Sequence, residues 1–93
     1  MGQSEYSVII SQRVNGDGTV QTPIVLELVH HEGDMQYLTD AVNTVVDRME
    51  SGGRYQRVHG KDPYVGADYT FEQIGGNDMI FLFVRTPYGG WNL

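Results

Sequence analysis

Apolar and polar positions alternate with a period of two from Glu5 to Val14, where Tyr6, Val8 and Ile10 interleave with Ser7, Ile9 and Ser11. A pleated chain sends successive side chains to opposite faces, so this stretch predicts a strand. Asn15-Gly16-Asp17-Gly18 follows. Asn-Gly and Asp-Gly supply the positive φ angles of a tight hairpin, and the chain is expected to reverse there. Thr19 to His31 returns as a second strand, with Ile24, Leu26 and Leu28 on one face and Val25, Glu27 and Val29 on the other. Pro23 cannot donate to a ladder, which points to an edge strand or a bulge.

The period then changes. Met35, Leu38, Val42, Val45 and Met49 follow one another at steps of three and four, placing all five on one face of a helix over Met35 to Glu50. Asp34 is the expected N-cap, and Gly52-Gly53 supplies the left-handed residue that stops the helix. The stripe is too short for a stable coiled coil and suits a helix laid on a sheet. Arg54 to Ala67 has no period and reads as loop with one short strand. Tyr69 to Ile74 alternates weakly, and Gly75-Gly76-Asn77-Asp78 is a turn. Met79 to Val84 is apolar on both faces, the pattern of a strand in the middle of a sheet.

Hairpin, helix, irregular segment and a final two-sided apolar strand together predict an α+β domain over residues 1–86. A tail of residues 87–93, rich in Gly and ending Trp91-Asn92-Leu93, follows it. One arrangement that satisfies every constraint is a β-grasp, with the helix across a mixed sheet and the first and last strands parallel at its centre. A simple antiparallel sheet with one helix satisfies them too.

Composition narrows the function classes. Six Lys and Arg against twelve Asp and Glu give a formal charge of −6. Such a surface repels phosphates and anionic lipid, which argues against nucleic-acid or membrane partners. The absence of cysteine excludes disulfides, thiolate metal sites and a cysteine nucleophile within these 93 residues. No apolar run approaches the ~20 residues of a membrane span, and the N-terminus lacks the pattern of a signal peptide. The expectation is a small cytoplasmic protein.

Four features carry a resemblance to the ubiquitin-like branch of the β-grasp, which includes modifiers and sulfur carriers. The element order matches. The turn Gly76-Asn77-Asp78 leads into the last strand as a Gly-Asp turn does in sulfur carriers. Gly89-Gly90 follows that strand after a short extended segment containing Arg85, and Asp68-Tyr69 is similar to a pair at a comparable place in ubiquitin. The resemblance implies a precursor trimmed after Gly90 by a processing peptidase, with Trp91, Asn92 and Leu93 as the removed cap. An adenylating enzyme would then activate the Gly90 carboxylate, glycine being thin enough to thread a narrow channel. Arg85 and Tyr88 would lie along that enzyme's groove, and the chain would hold no cofactor of its own.

Other residues offer bland or sharp readings. Arg54, Arg57 and Lys61, beside His59, form a basic island in an acidic chain, suited either to an acidic partner or to the domain's own carboxylates. His30 and His31 are adjacent on a strand and point to opposite faces, so they cannot easily share a metal ion. Read as a calcium loop, Asn15 to Gly18 would put Arg13 and Ile24 at positions needing carboxylates, which rejects calcium. No nucleophile-elbow, phosphate-loop or metalloprotease pattern occurs, so independent catalysis is not expected. The rival to the modifier is an acidic protein-binding adaptor or inhibitor without covalent chemistry. A homo-oligomer pairing through an edge strand is the third reading.

Overall fold

A computed structural model describes residues 5–31, 35–58 and 66–89. Strands β1 (Glu5–Val14) and β2 (Ile24–His31) precede helix α1 (Met35–Ser51). Strands β3 (Tyr55–Arg57), β4 (Tyr69–Gln73) and β5 (Met79–Arg85) follow it. The five strands form one sheet in the order β2-β1-β5-β4-β3. The last strand is therefore inserted beside the first, as the two-sided apolar run of Met79 to Val84 predicted.

The direction of that central pair differs from the parallel arrangement expected. β1 and β5 are antiparallel, with Val8 opposite Arg85 and Val14 opposite Met79, and every other pair is antiparallel as well. The sheet is thus antiparallel rather than mixed. Strand parity gives the reason: β3, β4 and β5 are antiparallel neighbours in sequence, so β5 runs with β3. α1 carries the chain from β2 to β3 on the opposite edge in the same direction, so β5 runs with β2 and therefore opposite to β1.

The reversal after β1 is held by the backbone: Gly18 donates to Asn15 (2.8 Å) and Asn15 to Thr19 (2.8 Å). Gly18 takes φ +88°, a conformation in which a Cβ is strained. The paired strand begins only at Ile24, five residues later than the predicted start at Thr19. Val20 makes a lone bridge to Val14 in between, and Pro23 stands just before the ladder it cannot join.

α1 buries Leu38, Val42, Val45 and Val46 against Ile9, Phe71, Leu82 and Val84 of the sheet. Met35 and Met49, the ends of the predicted stripe, are half-buried at its margins. The predicted N-cap Asp34 lies outside the described residues. Alternation sends Val8 and Ile10 of β1, and Phe81 and Phe83 of β5, to the face away from α1. No helix among the described residues is long and apolar enough to cross a membrane.

Candidate functional site

β2 is one outer strand of the sheet, and its chemistry is unlike that of the other. The β1–β2 register slips between Ile9 and Ile10: Ile9 faces Glu27, Ile10 faces Val25, and Leu26 is the extra residue. The bulge corrects the simple alternation read from the sequence. Val25 joins Leu28 on the open face beside Ile10 and Val8, while Ile24 shares the helix side with Ser11. Ile24, Val25, Leu26 and Leu28 remain 39–62% exposed. Eight residues at about 3.3 Å each give an edge of roughly 26 Å. The strand holds neither Lys nor Pro, the usual guards of an exposed edge, and Glu27 is its only acidic residue. β3, the opposite edge, is three residues long and carries Arg57.

The far end of β2 is pinned by a polar chain. Ser7 Oγ lies 2.7 Å from His31 Nε2. His31 Nδ1 sits 3.3 Å from the Glu5 carboxylate, an ion-pair distance whose angle misses a hydrogen bond. Glu5 also accepts from the Tyr88 hydroxyl, and this raises the Tyr88 pKa. Serine, histidine and carboxylate in this order match a nucleophile, its base and the base's orienting group. Ser7 and His31 are each 1% exposed, however, so a substrate carbonyl has no path to Oγ. The chain ties β1, β2 and the turn after β5 together. Sequence reading missed it because His31 lies twenty-four positions beyond Ser7 and only the β1–β2 register, with Glu5 opposite His31, brings it to them. His30, on the other face, stacks on Tyr6 with ring centroids 4.7 Å apart.

At the Ile24 end, beyond the last turn of α1, a cleft of about 270 Å³ opens on the helix side of the sheet. Arg13, Arg54 and Tyr55, with Ser11, Gln21 and Thr22, supply its polar lining, and Ile24 and Ile80 its apolar one. Arg13 Nη2 donates to the Tyr55 hydroxyl (2.9 Å), reaching from β1 toward β3 across two intervening strands. The same nitrogen lies 3.3 Å from Asp78. Arg13 Nε is buried and has no hydrogen-bond partner among the described residues. Arg54 has no ion-pair partner among the described residues.

The basic island is therefore split. Arg54 enters the cleft, whereas Arg57 lies over the Tyr69 ring, 4.7 Å from its centroid. Lys61 lies outside the described residues. Arg85 is engaged within the fold: its guanidinium contacts Asp68 (3.2 Å), the Val84 carbonyl (2.9 Å) and the Phe83 ring (5.3 Å). Asp68 in turn accepts the Val84 N–H at 2.7 Å. The segment after β5 is turned rather than extended. Thr86 and Gly89 exchange backbone hydrogen bonds (2.9 and 3.1 Å), with Gly89 at φ +110°. Gly90, Trp91, Asn92 and Leu93 lie outside the described residues.

No family model, curated protein or solved structure matches this chain.

Proposed function

We propose that this is a protein-binding module that takes an extended segment of a partner polypeptide onto the outer edge of β2. The observation that carries the reading is the contrast between the two edges: one is long, largely apolar and exposed, interrupted by the Leu26 bulge and Glu27, and the other is short and charged. Main-chain hydrogen bonds to such an edge supply affinity for any extended chain, and alternate side chains supply selectivity. The occupant is a cationic extended segment rather than a second copy. A net charge of −6 on each copy repels self-association, and Glu27 stands on the edge itself. The reading assigns no covalent chemistry to the chain.

Its test is an amide-capped peptide of alternating lysine and valine, matched in length to β2, titrated into the labelled protein. Resonances of β2 and its open-face neighbours Val8 and Ile10 should move. Shifts confined to α1 or β3, or none at all, would remove the proposal.

The modifier reading stands second. Its support is the central position of β5, with Gly89-Gly90 following in the sequence after three intervening residues. Its β-grasp component rests on element order and that central strand, without a parallel pair. The chemistry requires Gly89 to leave its pairing with Thr86 and the last three residues to be removed. The intact mass of the protein from its native cells tests it, since a chain ending at Gly90 is the expected product.

A further inference from the structure

We infer that the cleft beside Ile24 receives the C-terminal carboxylate of the partner strand, so that the module recognises free C-terminal ends. The inference rests on the proposed pairing at β2 and adds a direction to it. A segment pairing antiparallel with β2 runs toward Ile24 with its C-terminus leading. Ile24 forms the rim shared by the edge and the cleft.

Two arginines distinguish this end of the strand. Arg54 has no ion-pair partner among the described residues, and the Arg13 guanidinium, shared with Tyr55 and Asp78 through Nη2, lines the same wall. A carboxylate oxygen is the strongest common acceptor for the guanidinium N–H groups that Arg13 and Arg54 bring to this wall. Asp78 neutralises part of the Arg13 charge, which leaves one net positive charge from Arg13, Arg54 and Asp78. A single monoanion matches that balance. Ile24 and Ile80 line the other wall, so the carboxylate arrives on an apolar residue. The volume of about 270 Å³ is below the ~300–1,000 Å³ of pockets for drug-sized ligands, and suits one terminal residue. At the opposite end of β2, the Glu5 carboxylate faces the buried His31 ring, which Ser7 holds from the other side.

The test compares the alternating lysine–valine peptide ending in a free acid with the same peptide ending in an amide. N-acetyl-leucine and N-acetyl-leucinamide serve as single-residue probes. The free acid should bind about tenfold tighter, the effect of one charge-assisted hydrogen bond. It should also move the side-chain resonances of Arg13 and Arg54, which the amide leaves in place. Arg54→Gln should erase the preference for the acid without altering the amide-capped peptide. Arg13→Gln is a second variant, read only after its amide spectrum shows an intact fold.

Equal binding of acid and amide at β2 would overturn the carboxylate site and leave edge pairing standing. If neither peptide reaches β2 but N-acetyl-leucine still shifts the cleft, edge pairing fails and the carboxylate site stands alone as a small-molecule site. Inorganic phosphate displacing N-acetyl-leucine with equal strength would show an unselective anion cleft and overturn C-terminal recognition.

Discussion

His31 illustrates how one side chain commits its surroundings. It is 1% exposed, and Ser7 at 2.7 Å satisfies its Nε2. Ser7→Ala removes that partner and strands a buried ring nitrogen, a loss of about 1–3 kcal/mol. A urea unfolding midpoint displaced to lower concentration, with unchanged slope, is the expected readout. The same burial predicts that Ser7 stays unlabelled by a fluorophosphonate in the native protein, despite its neighbours. Tyr88 gives a prediction in pH. Its hydrogen bond to Glu5 holds the phenol above its ordinary value of 10.0, since ionisation would set two anions side by side. A raised folded pKa means that the contribution is present below the unfolded value and is lost as pH rises through the folded one. In an absorbance titration Tyr88 should be a late-ionising tyrosine, and Glu5→Gln should bring its ionisation to lower pH.

Among the elements, α1 and β2 behave oppositely. Leu38 is fully buried between helix and sheet, and Leu38→Ala should cost about 2–5 kcal/mol of stability, read by denaturant unfolding. Val25→Lys and Leu28→Lys alter exposed positions, and each should change stability by no more than about 0.5 kcal/mol. Both should nevertheless weaken binding of the lysine–valine peptide. Legibility in the sequence follows the same division. The helix was readable because Leu38, Val42 and Val45 repeat at the period that burial on one side demands. β5 was readable because a strand covered on both faces needs no polar positions. The faces of β2 were not, because the bulge at Leu26 depends on pairing with β1 and has no local signal. Nor was the direction of β5 beside β1, which depends on how α1 and the meander β3, β4, β5 bring the chain back. Arg54 was visible as a cation, but its cleft partner Arg13 lies forty-one positions away along the chain and was not seen as its neighbour.

At the scale of the whole molecule the central issue is what completes the sheet. One face is closed by α1, one edge is short and charged, and the other edge is long and apolar. The repulsion between copies of net charge −6 predicts a monomer by light scattering at physiological salt across a concentration series. Low salt should not promote association, because screening is weaker there and like charges repel more. A dimer broken by Leu28→Lys would instead mean that a second copy occupies β2.

The most direct measurement is amide hydrogen exchange along β2, with and without the lysine–valine peptide. In the protein alone, amides of the central strand β5 should exchange slowly, while the outward-facing half of the β2 amides exchange fast. Peptide should protect those outward amides and leave β5 unchanged. Outward β2 amides already protected at every protein concentration, or protection appearing elsewhere on peptide addition, would contradict the account.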